Sequence, residues 1–175
     1  MKTALPSLAF DSRRPPDLPI KVDWQYWRRI MSAQGVAKIS PQEAIIYLMV
    51  MTSASDGAIT DTELRTIGRV VRSFTLFSDS DEANLVETSE ACGALMASDD
   101  GMHLVLESAA AALPMHLTET AYAAVIDVVT ADERLDLTEI RLLELIRNAL
   151  TVSDAGASAI ERAARARHMT LDPIV

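Results

Sequence analysis

The stretch SDGAITDTE, from Ser55 to Glu63, decides the fold because it is an acidic turn between two apolar patterns of different kinds. A run that is apolar on every side precedes it, and an amphipathic run follows it. A second acidic turn, DERLDLTE, begins at Asp132 and ends at Glu139, so that Asp56 matches Asp132 and Glu63 matches Glu139 at the same separation. This duplication predicts two copies of one helix–turn–helix unit.

The residues on both sides of the first turn predict two helices. Ser40, Pro41 and Glu43 have the residue types of an N-cap, a first helical position and a capping box, which predicts a helix from there to about Ser55. Positions 44–51 are apolar all round, so this helix should be central and buried. The second helix is amphipathic, with outward-facing arginines and apolar residues at helical spacing: Leu64, Ile67, Val70, Val71 and Phe74.

The second copy repeats this order. Thr120 to Ala131 predicts another central helix, with one polar break at Asp127. The amphipathic helix that follows begins at Asp136. Its apolar stripe is wider: Ile140, Leu142, Leu143, Leu145, Ile146 and Leu150. We expect the two central helices to pack against each other, with each amphipathic helix covering one side of the pair.

The remaining patterns complete an all-α chain of about eight helices in two pseudo-symmetric halves. A helix is predicted from Ser78, and the segment Asp99-Asp100-Gly101 separates it from a further helix that ends before Pro114. Ser153 is the N-cap of the last helix, which runs to about Met169. The scarcity of Gly and aromatic residues favours helices over strands.

Proline content divides the chain into an arm, a domain and a tail. Residues 1–20 hold four of the seven prolines and no periodic apolar face, which indicates an extended N-terminal arm. Residues 21–170 form a single all-helical domain, and residues 171–175 form a short tail.

Both tryptophans lie near the start of the predicted domain. Trp24 and Trp27 share one face of a helix predicted from Val22 to Ala33. This face either packs this helix on the core or is exposed for a partner.

Composition and charge limit the class of protein. A chain of 175 residues can bury a core of its own, because roughly 70% of its unfolded surface is hidden on folding. The net charge of −9 argues against sequence-independent nucleic-acid binding, which needs Lys and Arg to neutralise phosphates. No run approaches the roughly 18 apolar residues of a membrane span, so no membrane insertion is expected. Cys92 is the single cysteine, which favours a reducing cytoplasm.

The acidic residues of the two turns are the candidate site. In a structural interpretation they are helix caps: Thr60 and Glu63 form a capping box, and Asp136 and Glu139 form one in part. In a functional interpretation the two turns converge, and a bound Ca²⁺, Mg²⁺ or Mn²⁺ offsets the repulsion between hard oxygen ligands. The candidate metal ligands are Asp56, Asp61, Glu63, Asp132, Asp136 and Glu139, with Glu133 beside them.

No pattern in the sequence predicts catalysis. Cys92 lies in an apolar stripe and is expected to be an inert core residue. His103, His116 and His168 share no ligand spacing with it, so a structural zinc site is not expected. Neither a nucleophile beside a base nor a phosphate-binding Gly loop can be identified. We therefore expect no enzyme and no cofactor other than a divalent cation.

The apolar helix, the turn from Asp56 to Glu63 and the second helix, repeated around Asp132 to Glu139, resemble the TerB-like family of tellurite-resistance proteins. The resemblance spans roughly residues 40–168, and it departs from the family pattern at Glu133, where the family usually has glycine. It implies an all-helical domain with internal pseudo-twofold symmetry and a role in tellurite or general stress resistance. It also implies acidic residues that bind divalent cations and partners in a membrane-associated complex, with no established catalytic reaction.

Two classes of function stay open. The first is a stress-response module that binds a divalent cation through its paired acidic turns. The second is an adaptor that holds a protein partner, with the acidic turns serving only as helix caps; a homodimer is also open. Convergent carboxylates would favour the first class, and a large apolar surface patch would favour the second.

Overall fold

A computed structural model describes residues 38–53, 59–98, 100–131 and 137–169 of the chain. Within these ranges the regular structure is entirely helical. The predicted arm, the helix predicted from Val22 to Ala33 and the tail lie outside the described residues. The all-α fold class is confirmed.

The described helices follow one another along the chain without an intervening strand. They are α1 (Pro41–Ser53), α2 (Asp61–Ser73), α3 (Asp79–Ala83), α4 (Leu85–Met96), α5 (Gly101–Ala112), α6 (Thr118–Val129), α7 (Leu137–Ala149) and α8 (Asp154–Arg167), with a 3₁₀ turn at Met115–Leu117. None of these helices is long and apolar enough to cross a membrane.

Helix α1 is the centre of the fold, as its apolar pattern predicts. Every residue from Ala44 to Thr52 is buried, and α1 contacts α2, α4, α5, α6 and α7. Its predicted capping box is present, because the Ser40 N–H donates to Oε2 of Glu43 at 2.6 Å and the Glu43 N–H donates to Oγ of Ser40 at 3.1 Å. Burial of each large apolar side chain of α1 contributes about 1.5–3 kcal/mol, which makes this helix the main stabilising element.

Helix α6 packs against α1, so the prediction of a central helix pair is confirmed. It begins at Thr118 and ends at Val129, two residues earlier at each end than the sequence suggests. Its polar break, Asp127, is mostly buried, and its carboxylate accepts a hydrogen bond from Arg167 of α8. The mostly buried carboxylate of Asp127 is therefore paired with a cation 40 residues later in the chain.

Helices α2 and α7 each contact both central helices. They begin and end at matching positions of the two copies, with Asp61 corresponding to Leu137 and Ser73 to Ala149. In α2 the predicted stripe is confirmed: Ile67, Val70 and Val71 are buried, and Leu64 and Phe74 are partly buried against the core.

In α7 the predicted stripe is too wide. Leu142, Leu143 and Ile146 are buried, but Ile140 is 42% exposed and Leu145 is 43% exposed. The physical reason is geometric, because at about 100° per residue Ile140 and Leu145 fall more than a quarter turn from the buried side on opposite flanks. An apolar residue next to a helical stripe need not belong to it.

The segment between the two helix–turn–helix copies begins with α3 and α4, which are separated by a break, and continues into a tight hairpin of α4 and α5. The predicted start at Ser78 is confirmed, since Oδ2 of Asp81 accepts from the N–H and the hydroxyl of Ser78, both at 2.7 Å. The single helix predicted from there is interrupted at Asn84, where α3 ends and α4 begins. Helix α5 then starts at Gly101, and both α4 and α5 pack on α1.

Helix α8 closes the fold by packing on α6. Its predicted N-cap is confirmed, because Oγ of Ser153 accepts from the Gly156 N–H at 3.0 Å. The preceding connection ends α7 with Thr151 in the left-handed region at φ 58°, while the Val152 N–H donates to the Arg147 carbonyl at 3.0 Å. These are the features of a Schellman motif, in which glycine is the more common residue at the left-handed position.

Candidate functional site

The part of the first acidic turn that the structure describes leads into α2 and includes its first helical residues. The Thr60 N–H and hydroxyl donate to Oε2 of Glu63 at 2.6 and 2.8 Å, and the Glu63 N–H donates to Oγ1 of Thr60 at 3.3 Å. This is the predicted capping box. Asp61 is exposed beside it. A cation bound to Oε2 of Glu63 would therefore share that oxygen with two donors of Thr60.

The other predicted ligands are distributed between described and undescribed parts of the chain. Glu139 lies in the first turn of α7 and is half-buried. Asp56, Asp132 and Asp136 lie outside the described residues, as does Glu133. In the four described ranges no group of three or more His, Cys, Asp or Glu is arranged to hold a metal ion. The convergence of the two turns stays a prediction.

Charge is distributed unevenly along the chain. Residues 73–133 contain no Lys or Arg and twelve Asp or Glu. This segment includes α3, α4, α5 and α6, so the surface that these helices provide has no strong cation of its own. The absence of Lys and Arg between Arg72 and Arg134 can be read from the sequence. Which part of the surface lacks these residues is known only from the fold.

The outward side of α4 is an exposed surface of this acidic segment. Val86, Glu90, Ala94 and Ala97 follow each other at spacings of three or four residues, and Glu87 lies beside them. All five are exposed, and Val86 is 53% exposed. We call this set the α4 face. It combines small apolar residues with two carboxylates, so it can bind a partner that is apolar and basic.

The outward side of α5 has a different character. Glu107 lies opposite Val105 and Ala109, the two fully buried residues of this helix, when α5 turns by about 100° per residue. Even so, Oε2 of Glu107 is buried, and within the described part of the chain it has no hydrogen-bond partner. Burial raises the pKa of the Glu107 carboxyl, and the nearby His103 lowers it by a smaller amount.

Cys92 is fully buried between α4 and α1. Its Sγ donates to the Tyr47 carbonyl at 3.6 Å. Burial raises the pKa of the Cys92 thiol to about 12, so the nucleophilic thiolate is nearly absent near pH 7. His103, His116 and His168 lie on α5, on the 3₁₀ turn and at the end of α8. The predicted inertness of Cys92 agrees with this environment.

The helical fold, the packed pair of α1 and α6 and the capped acidic turn together define an all-helical domain with an acidic helix start beside its core. The family model described as "Tellurite resistance protein TerB" matches residues 42–162. The chain belongs to this family, and the resemblance inferred from its acidic turns is confirmed. No curated protein and no solved structure gives a match to the chain.

Proposed function

We propose that the protein is a non-enzymatic module of tellurite or general stress resistance that acts in the cytoplasm as an adaptor. In this proposal the α4 face holds a basic, apolar segment of a protein partner. The single observation that carries the proposal is the exposure of Val86, Ala94 and Ala97 beside Glu87 and Glu90 on a surface segment without Lys or Arg.

The chemistry of the α4 face specifies the kind of partner. Small side chains such as Ala94 and Ala97 allow a partner helix to approach closely, and Val86 gives it apolar area to cover. Glu87 and Glu90 attract Lys or Arg of the partner at the edge of this area, and α3 to α6 contain no Lys or Arg that competes for them. Complementary charge of this kind speeds association and selects the partner.

The capping box also supports the adaptor. Glu63 is engaged by Thr60 in a local interaction that stabilises the start of α2, which gives one acidic residue of the turn a structural task. Loss of such a cap typically costs about 1 kcal/mol. The carboxylate therefore has a physical role without any ligand.

The adaptor is tested with two fluorescent peptides. One is an amphipathic helix of Lys, Leu and Ala, and the other has Glu in place of Lys. Fluorescence anisotropy should show binding of the Lys peptide alone, and the change Glu87→Lys with Glu90→Lys should weaken it about tenfold or more. Glu144→Lys on the exposed side of α7 is the matched control. Equal binding of both peptides, or no effect of the α4 changes, would contradict the proposal.

Binding of a divalent cation is the second candidate function. It is favoured by the position of Asp61 and Glu63 in one helical turn, where Thr60 holds the Glu63 carboxylate in a defined orientation. A ligand held in place before binding costs less entropy to order. With Asp56, and with Asp132, Asp136 and Glu139 of the second copy, these oxygens would suit Ca²⁺, Mg²⁺ or Mn²⁺.

Thermal unfolding separates the two candidates. Chelator-treated protein is measured with and without each cation, beside a variant with Glu63→Gln and Glu139→Gln. Glutamine keeps the capping geometry at Thr60 and removes the ligand charge. A cation site predicts about 2.7 kcal/mol of stabilisation at a hundred times the dissociation constant in the natural chain and little in the variant. If neither protein responds, the carboxylates are structural and the adaptor remains.

A further inference from the structure

The outward side of α8 is a second exposed helix surface, and its charge is opposite to that of the α4 face. It lies away from Ala157 and Ala164, the two buried residues of this helix. Residues at alternating spacings of four and three follow this side to just beyond the end of α8. We call this set the α8 face: Ala155, Ala159, Arg162, Ala166 and Met169, with Arg165 at its edge. All six are exposed, and Met169 is 69% exposed.

We infer that the α8 face of one copy of this chain docks on the α4 face of a second copy. This inference rests on the proposed function, because it uses the same α4 face and names a second copy of the chain as its partner. The α8 face has the chemistry that the α4 face selects, namely small apolar side chains beside basic ones. Association is head to tail, since the two surfaces in contact are different.

Charge complementarity carries the first step. The α4 face lies in the segment that has twelve Asp or Glu and no Lys or Arg, whereas the α8 face has Arg162 and Arg165 and no Asp or Glu. Within the described part of the chain, neither these arginines nor the two glutamates of the α4 face form an ion pair. Copies with a net charge of −9 repel each other in most orientations, so the arginines of α8 favour the orientation in which they meet α4.

The spacing of the charged residues carries the second step. Glu87 and Glu90 are three residues apart, and so are Arg162 and Arg165. In an antiparallel helix pair with Glu90 opposite Arg162, the same register places Glu87 level with Arg165, because both helices rise equally per residue. One register therefore brings both arginines next to the acidic part of the α4 face.

The same register also matches the apolar residues. Ala97 is level with Ala155, so the two helices can approach closely where both side chains are small. Val86 is level with Ala166, and Met169 follows at the same end of the pair. Val86 and Met169, the large apolar side chains of the two faces, are both exposed in the single chain, and this arrangement removes them from water together.

Sedimentation velocity of the full chain tests the inference. In the natural chain we expect the mean mass to rise with protein concentration, and added salt should weaken this rise because it screens the charges. Glu87→Lys with Glu90→Lys should weaken self-association about tenfold or more. Arg162→Glu with Arg165→Glu should weaken it equally. Arg141→Glu, which reverses an exposed charge on α7, is the matched control and should change nothing.

Mixing the two variants is the decisive measurement. Each variant alone has one reversed face that repels the natural face of its own copies, whereas the mixture contains faces of opposite charge. The mixture should therefore associate, and so should a chain that carries all four changes. Circular dichroism of each variant confirms that the helices are intact. A natural chain that stays monomeric at every concentration, variants that associate like it, or a mixture that associates no better than its components would each overturn the inference.

Peptide binding separates this inference from the proposed function. The variant with Arg162→Glu and Arg165→Glu keeps a natural α4 face, so it should bind the Lys peptide in the anisotropy measurement at least as tightly as the natural chain does. If it binds the peptide while the natural chain stays monomeric, self-docking is wrong and the adaptor function stands with a different partner. Loss of peptide binding in both chains would instead contradict the proposed function.

Discussion

The hydroxyl of Tyr122 on α6 donates a hydrogen bond of 2.8 Å to Oε1 of Glu161 on α8. Tyr122 is buried, and burial followed by this bond to a carboxylate raises its pKa above the usual tyrosine value. Asp127 and Arg167 form a second link between the same two helices. The last helix is therefore held to a central helix by two side-chain pairs that are far apart in sequence.

Tyr122→Phe should destabilise the fold by about 1–2 kcal/mol, because it removes a hydrogen bond to a charged group while keeping the ring. Urea unfolding followed by circular dichroism measures this loss. Glu161→Gln is the control, since an amide oxygen still accepts from the Tyr122 hydroxyl and should cost less. A larger loss for Glu161→Gln than for Tyr122→Phe would contradict this account.

Two glycines of the α4–α5 hairpin should respond in opposite directions to alanine. A Cβ at Gly101 would lie 2.3 Å from the Met96 carbonyl oxygen, so Gly101→Ala must shift the backbone and should cost about 2 kcal/mol or more. A Cβ at Gly93 meets nothing within 4 Å on the surface of α4, so Gly93→Ala should stabilise by about 0.5–1 kcal/mol. Thermal unfolding of both variants checks the sign, and a gain at Gly101 would be inconsistent with the tight turn.

Thr151→Gly should stabilise the protein by about 0.5–1 kcal/mol. Thr151 has φ 58°, which is costly for a β-branched residue, and glycine adopts it without a Cβ penalty. Thr151→Ala keeps a Cβ and should gain less. The measurement is the urea midpoint at constant slope, and an unchanged midpoint for the glycine variant would show that the Schellman turn carries no strain.

Stability should fall above pH 9 because of Cys92. Burial raises the pKa of this thiol from 9.0 to about 12, so the folded chain keeps a proton that the unfolded chain loses. The thiol's contribution is complete below pH 9 and declines as the pH rises toward 12. Urea unfolding across this range should show a shallower decline in Cys92→Ala, with Tyr47 and Tyr122 titrating in both proteins.

A thiol reagent gives an independent check of Cys92. The folded chain should react slowly at pH 8 and the urea-unfolded chain quickly, since the thiolate is the reactive form. If stability fell equally steeply with pH in the natural chain and in Cys92→Ala, and the reagent labelled the folded natural chain rapidly, Cys92 would be open to solvent.

The central helices could be predicted because their evidence is local. An apolar run on every side of α1, together with Ser40 and Glu43 at its start, leaves burial in the core as the only stable solution. The caps at Thr60, Ser78 and Ser153 were predictable for the same reason, as each bond joins residues three apart in sequence.

The remaining features depend on which elements meet in space. The pairing of Asp127 with Arg167 and the orphaned oxygen of Glu107 follow from tertiary packing, and no sequence spacing encodes them. The exposure of Ile140 and Leu145 shows that an apolar residue does not by itself define a buried side. The candidate site was predictable at Thr60 and Glu63, whereas the α4 face required the helix orientation.

The lack of Lys and Arg between Arg72 and Arg134 also determines how this protein can be examined by mass spectrometry. Trypsin cannot cleave within this segment, so α3 to α6 are released as one peptide from Ser73 to Arg134. Amine-directed crosslinkers find no lysine there either. A partner bound to the α4 face would find no lysine on that face to crosslink to, and reagents that couple to carboxylates at Glu87 and Glu90 are the suitable choice.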